Sequence, residues 1–477
     1  MTDPLRTDRP LIEPIYAQAE PGEPIALAAI NVAWSHNGTP HQAAANVTMQ
    51  FMPDDRLRFA AATNDQTVSF ALHAITTDDW DGKLTLLDTG VTVDTFCVGA
   101  TASSKSNGTL VFAPKRSVVT PTKPSDCLTT ATFHLFNFPD FISETDYFIT
   151  RKADNKSGWT RCGRLILNAE GWEITIAATD KTKEKCDRLR QQGSFIITHA
   201  GTIQRTDRSL FSTEQLQDLL QCLHSFLSLA LGRWAGLALP VGFDSNGKKV
   251  FEQWGMPMAA KGPWSGSCSW LDANHGQILT EVFPKFCVLW RDSTWQPTLQ
   301  AALYWYLAAN DRGTGIGVDA GIILAQTALE RLAWTYCIQH RKMVSEEAFS
   351  PRKGLSAANK LRLLASALEI PVEVPSQMTA LNAKRGSKWN DMPHAITDIR
   401  NSLVHPNEKT SLPNGSYFEA WQLSTWLLDL AFLRLCGHDG SYSNRTTKKA
   451  VGQVEQVPWA KPPIQKQGGP TNGTEAN

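Results

Sequence analysis

Arg400, Asn401 and His405 fall within six residues of one another in the run DMPHAITDIRNSLVHP (391–406). An imidazole titrates near neutral pH, and a guanidinium keeps its charge at any working pH. Such a pair suits metal-free phosphodiester cleavage. The imidazole moves a proton, while the guanidinium grips phosphate oxygens and the charge that grows on them. Among eleven histidines, only His405 has an arginine upstream with four to six residues between them.

Those groups need a helix end to hold them. Ile396, Ile399, Leu403 and Val404 supply an apolar face, and Pro406 disfavours the α conformation at His405. A helix over 392–404 therefore stops where the imidazole begins, and a helix C-terminus is a favourable place for a cation. The surroundings read as further helices at 297–309, 318–340, 356–368 and 418–435. In the longest, Ile322, Ala325, Leu329, Leu332, Ala333 and Tyr336 form the buried stripe. Short polar links between helices of this length describe a bundle.

The first 208 residues have a different grammar. Runs rich in Val, Ile, Thr and Phe at 67–75, 83–93, 109–113, 130–138, 164–167, 172–177 and 194–198 alternate with Gly, Asn, Asp and Pro clusters. The turn at 168–171 (NAEG) reads as a hairpin. Strands without amphipathic helices between them predict a sandwich or barrel. At Ser212 and Gln215 a capping box opens a helix carrying Leu216, Leu219, Leu220, Leu223, Phe226 and Leu227, with Gly232 and Gly236 at its end. Residues 237–290 are mixed, and Trp254, Trp264, Trp270 and Trp290 are expected to pack the junction between domains. The resulting expectation is an α+β multidomain chain: a β-rich N-terminal domain at 1–208, a connecting helix and Trp-rich region at 209–290, a helical bundle at 291–436 and a mobile tail at 437–477.

Composition narrows the function. The chain has 477 residues with 46 Lys+Arg and 46 Asp+Glu, so a net charge of zero excludes a bulk DNA coater. Nine cysteines include no C-x-x-C pair, which predicts neither a zinc site nor a disulfide framework and suits a reducing cytoplasm. No basic region followed by an apolar stretch marks a signal peptide, and no run of 18 apolar residues marks a membrane span. Gly313, Gly315 and Gly317 follow a helix and lack dinucleotide-loop spacing; no P-loop and no H-E-x-x-H is present. Cys268 sits outside any nucleophile-elbow frame, and His36, His41 and His73 lack ligand spacing. Neither a metal nor a cofactor is expected.

The run RNSLVH at 400–405 resembles the R-x4-6-H motif of the HEPN superfamily, in its R-N-x-x-x-H form. A β-rich half followed by a helical half is similar to the layout of ApeA-type abortive-infection proteins. The resemblance covers 296–436 and implies an endoribonuclease of antiviral defence or toxin type, acting on RNA without metal. It implies His405 as general base or acid, Arg400 on the scissile phosphate, Asn401 orienting either group, and a 2′,3′-cyclic phosphate product. It also implies a homodimer with a composite site; a defence effector of this kind must be held inactive by the β domain or by the dimer arrangement until an unknown ligand or protein, sensed by the N-terminal domain, triggers it. Glu330 and Asp398 are candidates to support Arg400 or His405, each with the alternative of an ordinary surface carboxylate. Residues 341–409 hold eleven Lys/Arg against seven Asp/Glu, which fits phosphate contacts as well as a solvated helical face. HEPN domains that have lost catalysis serve binding or assembly, so the alternative is a non-catalytic interaction module with a ligand-sensing β domain.

Overall fold

The computed structural model describes residues 12–36, 38–51, 56–63, 80–102, 108–120, 127–153, 156–256, 258, 269–311, 317–350, 354–405, 412–447, 450 and 452–460. The strand expected at 67–75 and residues 461–477 lie outside them, as do His73, Trp264, Cys268, Gly313, Gly315 and Pro406.

Six antiparallel strands close a barrel: β1 (Ile25–His36), β2 (Thr39–Gln50), β3 (Arg56–Thr63), β4 (Trp80–Leu86), β5 (Val91–Ala102) and β6 (Gly108–Pro114), in the order β1-β2-β3-β6-β5-β4. Alternation builds its interior. Ile25, Leu27, Val32 and Trp34 of β1, Val47 and Met49 of β2, and Leu57 and Phe59 of β3 are buried at period two. Pairing of Val32 with Leu86 closes β4 onto β1 and removes both sheet edges.

Next comes a seven-stranded sheet in the order β11-β12-β13-β8-β14-β15-β7. Its strands are β7 (Val118–Thr120), β8 (Thr130–Phe136), β11 (Arg164–Ala169), β12 (Trp172–Ala178), β13 (Ile197–Arg205), β14 (Gly236–Phe243) and β15 (Lys249–Trp254). A separate hairpin, β9 (Tyr147–Ala153) and β10 (Lys156–Cys162), interrupts the series. The NAEG turn joins β11 to β12 with Glu170 at φ 49° and Gly171 at φ 77°, the left-handed pair a tight hairpin requires. At Gly201 a Cβ would lie 2.2 Å from the Phe133 ring, so β13 admits no side chain there. The division drawn at residue 208 separates β13 from β14, yet both strands flank β8 in one sheet. A short helix, α1 (Thr182–Gln192), leads into β13.

Both faces of this sheet are covered. Phe136, Ile197, Ala238, Leu239, Val241 and Trp254 join the barrel interior in one apolar cluster. Phe133, Leu135, Leu165, Leu167, Ile174 and Ile176 join the helices in another. Those helices are α2 (Thr213–Leu231), α3 (Ile278–Arg291), α4 (Gln296–Asn310), α5 (Val318–Trp334), α6 (Ala357–Ala367), α7 (Thr379–Asn382), α8 (Met392–Val404) and α9 (Ser416–Leu435). The capping box of α2 forms as read: Gln215 N–H donates to Ser212 Oγ at 3.1 Å and Ser212 N–H to Gln215 Oε1 at 2.9 Å. The stripe read at 318–340 divides into α5 and a π-helical turn, Thr335–His340. Trp254 sits in the first cluster and Trp270 and Trp290 in the second, so these three indoles pack cores.

One expectation is corrected. Residues 437–447 and 452–460 pack back on the bundle instead of forming a tail. β16 (Ser441–Tyr442) pairs with β17 (Glu455–Gln456), Tyr442 and Val457 are buried, and Trp459 Nε1 donates to His438 O at 2.8 Å. A few large apolar side chains anchor a segment whose overall composition is polar.

Candidate functional site

Both ends of α8 are set by polar groups, in opposite ways. At the N-terminus Asp391 caps the helix, accepting the His394 N–H at 2.9 Å. Arg362 of α6 clamps the same carboxylate, Nε to Oδ2 at 2.6 Å and Nη2 to Oδ1 at 3.0 Å. Burial acts to raise the Asp391 carboxyl, but the bonds from Arg362 and the His394 N–H outweigh it and hold it below its ordinary range. Met392, Ala395, Ile396 and Ile399 bury one face of α8 in the bundle.

The C-terminus is open. The His405 N–H donates to Asn401 O at 2.8 Å, and at φ −122°, ψ 80° the chain leaves the helix there. Arg400 is half-buried; its Nη1 donates to Asn401 Oδ1 at 3.2 Å, and its buried Nε has no partner among the described residues. Asn401 and His405 are exposed. Among the described residues no carboxylate pairs with Arg400, and no hydrogen bond engages the His405 imidazole. The helix end thus presents a cation and an imidazole, neither paired with a carboxylate among the described residues, beside backbone carbonyls of the last turn.

Glu330 is tied elsewhere. Gln326, fully buried on α5, donates Nε2 to Glu330 Oε1 at 2.8 Å, while its own Oε1 has no partner among the described residues. Asp398 is half-buried on α8. Neither carboxylate makes a hydrogen bond or ion pair with Arg400 or His405 among the described residues; of the five residues singled out, only Arg400 and Asn401 share a side-chain bond, and His405 follows one turn later, joined to Asn401 through the backbone.

A second polar centre escaped the sequence reading. Asp429 of α9 is fully buried and accepts from Tyr306 Oη and, twice, from Arg445: Nε to Oδ2 at 2.6 Å and Nη2 to Oδ1 at 2.9 Å. Arg445 also donates to Asn310 Oδ1 at 2.7 Å and to Tyr306 Oη at 3.0 Å. Burial pushes the Asp429 carboxyl above its ordinary range even with Arg445 opposing it, and burial with the Asp429 charge raises Tyr306. The lone signal was an acid inside the apolar run TWLLDLAFL at 425–433. This cluster fastens the 437–447 segment to the bundle, with every guanidinium nitrogen of Arg445 and both carboxylate oxygens of Asp429 bonded.

A third polar group, His134 on β8, is enclosed. Its Nε2 accepts the Ile15 N–H at 3.0 Å, and Nδ1 bonds the Leu239 carbonyl at 3.1 Å. Burial lowers this imidazole to about 4, so it is neutral at physiological pH, with the proton on Nδ1. Among the described residues no group of three or more His, Cys, Asp or Glu side chains is arranged to hold a metal, and no helix is long and apolar enough to cross a membrane.

Comparison with known proteins places two stretches. Residues 123–265 match the YopA central domain and residues 292–456 the YopA C-terminal domain. The chain is 30% identical over 301 residues to the SPbeta prophage-derived uncharacterized protein YopA of Bacillus subtilis (strain 168), covering 62% of this chain and 66%, just under two thirds, of that protein. No solved structure matches the chain. The two matched stretches contain most of the seven-stranded sheet and the bundle; the closed barrel lies outside them.

Proposed function

We propose that this protein is a metal-independent endoribonuclease of the HEPN type, with its active site at the C-terminal end of α8. The observation that carries the reading is the open pair: Arg400 without a carboxylate partner among the described residues and His405 exposed at the residue where the helix ends. A structural arginine is normally paired and a structural histidine normally bonded; this pair is neither.

In this reading Arg400 binds a non-bridging oxygen of the scissile phosphate, with Asn401 holding its Nη1 in place. His405 removes the proton from an RNA 2′-hydroxyl. The 2′-oxygen then bonds to phosphorus as the bond to the 5′-oxygen breaks. The products are a 2′,3′-cyclic phosphate and a 5′-hydroxyl, whose proton comes from solvent. Charge accumulates on the phosphate oxygens beside Arg400, where a fixed cation is worth most. The protein acts in the cytoplasm as a homodimer whose two motifs complete one site; Val404, directly before His405, leaves an apolar side chain exposed on that surface. Similarity to a prophage-derived protein supports a role in phage–host conflict, with the β-rich half receiving the trigger.

The test is incubation of the purified full-length protein with single-stranded RNA and tRNA in EDTA. Cleavage leaving 2′,3′-cyclic ends, lost in both His405→Ala and Arg400→Ala at unchanged melting temperature, supports the reading. A defined dimer with no cleavage in any condition, including after addition of phage lysate, overturns it in favour of an assembly module.

A further inference from the structure

Between α2 and the β14–β15 edge of the sheet lies a cleft of about 300 Å³. One face of α2 supplies Gln217, Gln221 and His224, at positions i, i+4 and i+7. The opposite wall is Leu237, Ala238, Leu239 and Pro240 of β14 with Gln253, Gly255 and Ser117. Three features separate this cleft from an accidental groove.

The first is its shape, which is built from a distorted strand. The register of β14 against β8 breaks between Ala238 and Val241, and Leu239 adopts φ 54°, a left-handed backbone that a leucine rarely takes. The buried His134 bonds the Leu239 carbonyl and holds the bulge in place. Bulges of this kind re-aim backbone and side chains beside binding sites. At Gly255 a Cβ would come within 2.4 Å of Ser117 Oγ, so the wall closes to this spacing only with glycine there.

The second is unspent bonding capacity. The side chains of Gln217, Gln221, Gln253 and Ser117 make no hydrogen bond to any described residue, although amides and hydroxyls both donate and accept. The third is charge: none of the twelve lining residues is Lys, Arg, Asp or Glu. Among the described lining residues an anionic ligand meets no cation and an ammonium meets no carboxylate.

These features fit one chemical class. Glutamine amides pair in bidentate fashion with the N6/N7 edge of adenine. The His224 ring, the one aromatic ring among the described lining residues, is held flat against Trp234, with centroids 5.5 Å apart and planes 7° from parallel. The volume is at the lower end of the range for small-molecule sites, ~300–1,000 Å³, which suits one heterocycle with its sugar. We propose that this cleft binds an uncharged nucleoside through its base, with adenine the preferred edge. The site is independent of the ribonuclease reading, since no residue is shared and its test involves no RNA.

Isothermal titration of the full-length protein with adenosine, AMP and glucose tests it. Adenosine is expected to bind one per chain, with AMP at least tenfold weaker because its phosphate meets no cation among the described lining residues. Gln221→Leu and Gln253→Leu should each weaken adenosine at least tenfold; Gln221 is exposed, so that variant should melt at the wild-type temperature. Absence of adenosine binding at 5 mM, equal or tighter binding of AMP, comparable binding of glucose, or unchanged affinity in both variants would each overturn the proposal.

Discussion

Two arginines, Arg445 beside the bundle and Arg400 within it, show how differently burial and partnership treat the same side chain. Arg445 spends three nitrogens on Asp429, Asn310 and Tyr306 inside the protein. Arg400 spends one, on the side chain of its own neighbour Asn401, and its Nε has no partner among the described residues. A buried charge that is fully bonded fixes geometry, and removing its partner strands it in a low-dielectric interior. A half-exposed cation with idle donors contributes little to folding and keeps its field for an incoming anion. The two ends of α8 repeat the lesson within one helix, since Asp391 is clamped and the His405 side chain makes no hydrogen bond among the described residues.

The comparison breaks if the closed cluster proves dispensable. Asp429→Ala leaves Arg445 and Tyr306 buried without their acceptor and should cost about 3–5 kcal/mol, read as a lowered denaturant midpoint. A loss below about 1 kcal/mol would show that the cluster is wet and reorganises easily.

Acid should sharpen it further. His134 and His199 are both buried and held neutral, lowered to about 4 and about 3 from an ordinary 6.5. The unfolded chain binds those protons first as pH falls. The stability these groups contribute is therefore complete above pH 6.5 and is lost as pH drops through about 4 and then about 3. For His134 alone the loss is about 3 kcal/mol by the bottom of its window. His134→Gln should flatten the slope of stability between pH 6.5 and 4; an unchanged slope would contradict the enclosed geometry.

Within α8 the two ends should respond unequally. Asp391→Ala removes the cap and the acceptor for Arg362, costing about 1–2 kcal/mol in thermal or denaturant unfolding. His405→Ala at the open end should change stability by no more than about 0.5 kcal/mol. Equal losses at both ends would make His405 a structural cap.

Much of this layout was legible in the sequence where the signals are local. The hairpin turn at 168–171, the capping box at Ser212 and the bounds of α4, α8 and α9 follow from turn chemistry, caps and apolar period. Three features were not. α1 buries only Thr182, Cys186 and Leu189 and otherwise reads as a polar loop. α3 carries Pro284 in its interior, a residue that argues against helix. The pairing of β14 with β8 joins strands about a hundred residues apart, which no local pattern encodes. In the candidate site, spacing singled out Arg400, Asn401 and His405 as a set, whereas the tie of Glu330 to Gln326 depends on the rotamers of one buried and one half-buried side chain. The Asp429 cluster needed the folded position of Arg445, which lies in a stretch whose composition resembles a tail.

The most direct measurement is the end chemistry of RNA exposed to the full-length protein in EDTA, compared with His405→Ala of matched stability. The account predicts 2′,3′-cyclic phosphate ends from the wild type and a fall of about 10²–10⁴-fold in the variant, the range a lost general base produces. Equal cleavage by both proteins, or intact RNA with both after dimerisation and phage lysate have been supplied, would contradict it.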